Sequence, residues 1–278
     1  MCIAGSLFPV MNDVVQILSP RYASEQIVRA RAASHLVFVL ALFLPRYGIS
    51  LLRTTQLKWQ VLRSAILLMS TFMFFTGVQY LVLAKAASIS FTTPFIVAVL
   101  AWPLLGERVR LNRMIAVAVA LIGVLIVIQP GSELFQWASL LILGNSFCYA
   151  LYQILTRHVA GHDSPETSAV YAATVSTLIM TVVLPFVWTA PMSWGDAGLM
   201  FSLGILGGLG HYCVARAMLY APANIVAPFQ YWQMVGSVIV GYAISGLLPE
   251  LSTWIGAAVI ISAGLYIVWS ETRKRTAA

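Results

Sequence analysis

Apolar residues fill this chain in long blocks, separated by short clusters of proline, glycine and charge. A membrane-spanning helix requires about 20 apolar residues, within a range of about 17–25. Cutting at the clusters gives ten such segments, at 3–18, 26–44, 60–82, 88–105, 112–129, 135–156, 166–188, 197–219, 223–246 and 251–270. The pattern predicts helices throughout, with connections too short to carry a soluble domain. The first run opens at Met1 with no basic stretch before it, and Asn12-Asp13 interrupts its middle. A cleaved leader shows the opposite features, so this run reads as a retained helix.

Composition removes the soluble alternatives. Of 278 residues, 60% are hydrophobic and 9% charged, and the mean hydropathy is +0.88. Soluble domains carry about 25% charged residues. The net charge of +7 does not indicate a nucleic-acid partner. Basic residues of membrane proteins collect in cytoplasmic loops, and no basic patch here is interleaved with aromatics. The expectation is a polytopic all-α membrane protein whose surroundings are a lipid bilayer.

Charge also orients the chain. With both termini cytoplasmic, the inner side holds Arg46, Arg53, Lys58, Arg63, Arg108, Arg110, Arg113, Arg157, Arg216, Arg273, Lys274 and Arg275. The outer side then holds Arg21, Arg29, Arg31 and Lys85. Twelve against four favours this orientation.

Three echoes suggest an internal repeat. "QIL" at 16–18 returns at 153–155, an offset of 137. Pro94-Phe95 returns as Pro228-Phe229, an offset of 134. "LIGVLIV" at 121–127 resembles "SAGLYIV" at 262–268, an offset of 141. These predict halves at 1–131 and 132–278, each of five helices. Because five is odd, the second half enters from the opposite face, as in secondary transporters that bind substrate between inverted repeats.

The stretches "ASISFTTPFIVAVLAWPLLGERVR" and "LIGVLIVIQPG", with "ARAMLYAPANIVAPFQYWQMVGSVIVGYAISGLLPELSTWIGAAVIISAGLYIVWSE" in the second half, resemble the EamA-type, ten-helix members of the drug/metabolite transporter superfamily. The resemblance covers essentially the whole chain. It implies two inverted five-helix repeats around a central cavity, and transport by alternating access. The "APFQYWQ" segment and the overall spacing look most like YddG-type exporters of aromatic amino acids. Two departures stand out. Leu247 occupies a position that is often acidic in the family, with Glu250 three residues on, and Gln16 a position that is often basic.

Polar groups inside spans are costly unless they face protein or a water-filled cavity, which makes them the candidate substrate contacts. Asn145, Tyr149 and Gln153 lie four residues apart on one helix face. Phe72, Thr76, Gln79 and Tyr80 mark another, and Gln230, Tyr231, Trp232 and Gln233 cluster early in the ninth segment. Asn12, Thr92, Thr93 and His211 complete the set, with Asp13 and His211 as candidates for proton coupling. The plainer reading is helix–helix hydrogen bonding for the amides and hydroxyls, a core histidine at 211, and an Asp13 near enough to the outer end to stay solvated. Neutral candidates favour a zwitterion over a phosphate ester, which would want converging Arg or Lys.

The expected function is therefore export of small amphiphilic metabolites, above all aromatic or large apolar amino acids, by a single chain. The alternative is uptake of a cofactor-like metabolite such as a vitamin or a sulfonium nucleoside. A non-transporting subunit or an intramembrane enzyme is the third reading. No cofactor or metal is expected, because Cys2, Cys148 and Cys213 show no paired spacing. No Gly-x4-Gly-Lys-Ser/Thr loop is present, so no nucleotide-hydrolysing partner is implied. "GILGGLG" at 204–210 lacks that lysine and reads as small residues that let helices approach.

Overall fold

The computed structural model describes residues 1–105, 111–129, 136–187, 190–221, 223–246 and 248–275. Arg108, Arg110 and Leu247, singled out by sequence, lie outside the described residues. The described chain is helical, without a strand. The first three long helices are α1 (Cys2–Leu18), α2 (Ser24–Tyr47) and α3 (Leu57–Gly77). They are followed by the short α4 (Leu83–Ser90) and by α5 (Thr93–Leu105). Next come α6 (Leu111–Ile128), α7 (Ala138–Val159), α8 (Pro165–Val187) and α9 (Trp194–Tyr220). The chain closes with α10 (Ala223–Val226), α11 (Trp232–Ser245) and α12 (Leu251–Arg275).

Each expected segment carries a helix, but the third (60–82) overruns its helix, which ends at Gly77, and the fourth and ninth are interrupted. The fourth breaks at Phe91 and Thr92, between α4 and α5, and the ninth passes through a 3-10 turn at Ala227–Tyr231. Both breaks sit at a Pro-Phe pair. Proline lacks an N–H and crowds the preceding turn, so the regular ladder fails there. Among the described residues, five stretches are long and apolar enough to span a bilayer on their own: Ser24–Leu52, Leu57–Gly77, Leu83–Leu100, Ala138–Val159 and Trp194–Tyr220.

Glycine seams decide how closely the helices meet. On α6 and α12, a Cβ added at Gly123 would lie 2.9 Å from the Gly256 carbonyl oxygen, and one at Gly256 would lie 2.6 Å from that of Gly123. The two backbones touch, as small-residue seams permit in membranes. The "GILGGLG" stretch on α9 does the same for α1 and α2. Gly204 meets the Ser34–His35 backbone, Gly207 meets Arg31, Gly208 meets His35 and Gly210 meets Phe8. Elsewhere α1 also packs beside α11, α7 beside α3 and α5, and α8 beside α2 and α3.

Polar side chains tie both ends of the bundle. At one end Asp196 forms an ion pair with Arg21 (2.7 Å) and accepts from the Tyr22 hydroxyl (2.8 Å). There Gln16 also donates to the Val78 and Leu81 carbonyls. At the other end Asp163 accepts from Thr54 and Gln60, Arg157 donates to the Met218 carbonyl (2.7 Å), and Tyr212 donates to Glu166 (2.7 Å).

Candidate substrate cavity

Between the two ends lies a cavity walled by α1, α2, α3, α7, α9 and the two helix breaks. Its apolar wall includes Phe8, Met11, Leu67, Phe74, Phe75 and Phe91, and its polar wall includes Asn12, Arg31, Ser70, Thr71, Ser90 and Thr93. Asn145, Tyr149, His211, Gln230 and Gln233 complete the lining. About 80 Å³ is open to water centres, and about 10–15 Å³ of such space holds one water. A handful of waters fits, so a ring-bearing metabolite requires the cavity to widen.

The helix breaks place groups that an unbroken helix would hide. At the first, the Thr92 hydroxyl donates to the Ile89 carbonyl (2.8 Å) within its own turn, while that of Thr93 reaches the Ser146 carbonyl on α7 (3.5 Å). Thr93 lines the cavity and Thr92 does not. At the second break, Gln230 is presented to the cavity, and Gln233 follows on the first turn of α11. Asn145 both lines the cavity and binds α3, donating to the Ser70 carbonyl (2.9 Å) and hydroxyl (2.7 Å).

Several of these polar atoms have no hydrogen-bond partner among the described residues. They include Asn12 Oδ1, Ser90 Oγ, His211 Nδ1 and Gln230 Oε1, together with Nε and Nη2 of Arg31. The His211 ring lies among aromatics, 5.1 Å from Phe8 and 5.6 Å from Tyr152 between ring centres. Buried polar groups are normally satisfied, and each exception calls for water or a ligand.

Of the candidates, the structure brings together Asn12, Thr93, Asn145, Tyr149, His211, Gln230 and Gln233. The others lie elsewhere. Tyr80 is 55% exposed against Trp137, and Gln79 sits with it at the end that holds Gln16. Trp232 is 52% exposed, with its indole donating to Ser6. Thr76 and Gln153 are outside the lining, as is Tyr231, which packs edge-on to Phe91. Asp13 is also outside it, and at 1% exposure it is buried rather than solvated. On α3 the cavity face runs Leu67, Ser70, Thr71, Phe74 and Phe75. That is the i, i+3, i+4, i+7 stripe of one helix face, and Thr76, Gln79 and Tyr80 do not belong to it.

Buried arginine is the feature that sequence reasoning missed. Arg31 and Arg63, assigned to opposite loops by the charge count, are 3% and 1% exposed. Arg31 is seven residues into α2, roughly 10 Å along its axis. Its spacing from His35, one turn on, was the available signal. Lys85 is buried too. The expectation of a neutral set of substrate contacts is therefore corrected, because Arg31 joins the lining.

The sequence profile of the EamA-like transporter family matches residues 1–129 and 136–269. This chain belongs to the EamA-like transporter family. It is thus an integral membrane transporter and not an enzyme. A riboflavin transporter of Vibrio cholerae is 28% identical over 99% of this chain and 93% of its own length. An S-adenosylmethionine uptake transporter of Rickettsia conorii is 28% identical over 94% of this chain and 89% of its own. A solved crystal structure matches the fold with a TM-score of 0.70 at 16% identity, covering 99% of this chain and 98% of the other. These EamA relatives carry names unlike the YddG-type amino-acid exporters expected from sequence.

Proposed function

We propose that this EamA-family chain is an uptake carrier for a ring-bearing, cofactor-like metabolite, acting as a single chain in a bacterial inner membrane. The observation that carries the reading is the cavity itself. Aromatic walls enclose buried donors and acceptors that have no partner within the described protein. Such groups are expensive inside a membrane unless a ligand or water meets them. The names of the relatives point to a vitamin and to a sulfonium nucleoside, which favours the uptake alternative over amino-acid export.

The mechanism follows from an inverted repeat, with halves at 1–131 and 132–278. Exchange of α1 with α7, α2 with α8, α3 with α9, α4–α5 with α10–α11, and α6 with α12 supports this. It turns the α1–α9 contact into α7–α3, α2–α9 into α8–α3, and α1–α11 into α7–α5, and each of those contacts exists. The family profile likewise matches in two segments, on either side of 130–135. In this reading the halves rock about the cavity, and the Asp196 and Asp163 clusters close its two ends in turn. With Arg31, Arg63 and Lys85 removed from the loops, the Lys/Arg bias becomes eleven against two. That supports cytoplasmic termini.

A host unable to synthesise riboflavin, supplied with limiting external riboflavin, tests the direction. Expression of this chain is expected to restore growth. Resistance to toxic aromatic amino-acid analogues without such rescue would return the reading to export.

A further inference from the structure

The two buried arginines are held in opposite ways. Arg63 is fully engaged: Nε donates to Gln60, Nη1 to Thr156 and Nη2 to the Ser168 carbonyl, with the guanidinium over the Tyr152 ring. Arg31 is placed but not satisfied. Its guanidinium lies 5.9 Å from the centre of the Phe75 ring. A Cβ at Gly207 would come within 2.9 Å of its Nε, so the bare glycine makes room for it. Nε and Nη2 carry no hydrogen bond among the described residues.

Among the described residues, the lining that Arg31 joins contains no aspartate or glutamate. Asp13, the carboxylate within α1, is outside it. The remaining polar lining includes amides, hydroxyls and His211, with free acceptor oxygens on Asn12 and Gln230. A guanidinium offers a fixed planar fork of donors, and it repels a like charge strongly where water is scarce. A planar ring whose edge carries carbonyl oxygens beside an N–H matches such a wall. Its oxygens would accept from Arg31 while its N–H donates to an amide oxygen.

We propose that Arg31 is the charge filter of this cavity. It takes the acceptor edge of a neutral or anionic planar ring, as in a flavin imide, and turns away ligands that carry a fixed positive charge, such as a sulfonium. This deepens the carrier reading above and rests on it. It separates the two substrate classes named by the relatives, placing this chain with riboflavin rather than with S-adenosylmethionine.

Equilibrium binding to the purified full-length chain in detergent provides the test, with labelled riboflavin and labelled S-adenosylmethionine as probes. The wild type is expected to bind riboflavin at least about tenfold more tightly. Arg31→Met should weaken riboflavin about tenfold or more, since a charge-assisted hydrogen bond is lost, and should not weaken S-adenosylmethionine. Arg31→Lys should still reject S-adenosylmethionine while recovering only part of the riboflavin affinity. If the Met variant does not purify as a folded species, the wild type is tested with riboflavin against an analogue bearing a quaternary ammonium group, and preference for riboflavin is required. Tighter binding of S-adenosylmethionine by the wild type, or an unchanged preference in Arg31→Met, overturns the filter and leaves the carrier reading standing. Binding of neither probe overturns both.

Discussion

Thr92 and Thr93 adjoin in sequence, yet the helix break gives them different tasks. Thr92 bonds back to Ile89 and repairs its own turn, whereas Thr93 lines the cavity and reaches α7. Thr92→Val is expected to lower stability by about 1 kcal/mol, read as a reduced thermal midpoint in detergent, with transport KM unchanged. Thr93→Val should raise KM several-fold, and equal KM effects from the two would contradict the assignment. Asn145 combines both tasks. Asn145→Leu removes two hydrogen bonds to Ser70, and each interhelical bond in a membrane contributes about 0.6 kcal/mol on average. A drop of about 1 kcal/mol is expected in unfolding measurements. The amide and hydroxyl positions were legible in sequence because polar residues stand out in an apolar run. Arg31 was not legible in this way. Positional counting assigns every arginine near a helix end to a loop, and only the packing of α2 against the α9 glycines brings it inside.

Element boundaries were largely readable, because hydrophobic length is a local property and every expected segment carries a helix. Which face of a helix looks inward was less so. On α3 every residue from Ser64 to Gly77 is apolar or weakly polar, and the cavity face is fixed by the neighbours α7 and α8 rather than by its own pattern. The glycine seams give a sharper test at this scale. A Cβ at Gly256 would lie 2.3 Å from a Val127 methyl and 2.6 Å from a backbone oxygen, while one at Gly198 meets nothing within 4 Å. Gly256→Ala is therefore expected to cost about 1–3 kcal/mol through overpacking. Gly198→Ala should be neutral or stabilising by up to about 1 kcal/mol from helix propensity. Thermal unfolding of the two purified variants checks the contrast, and equal effects would count against the α6–α12 contact.

Across the whole molecule, the polar clusters at the two ends frame one central cavity. If they close in alternation, weakening one end shifts the population of conformers toward opening there. Asp196→Asn removes the ion pair to Arg21. It is expected to increase thiol labelling of a cysteine placed at Gln79, beside that end, and to reduce labelling of one placed at Gln56, beside the Asp163 cluster. Parallel changes at both sites would argue for general loosening instead of alternation. The most direct measurement of the central claim is counterflow in proteoliposomes preloaded with unlabelled riboflavin. Transient accumulation of external labelled riboflavin above protein-free vesicles is expected, abolished by excess unlabelled riboflavin and unaffected by phenylalanine. No accumulation above protein-free vesicles, or accumulation that phenylalanine abolishes, would contradict that claim.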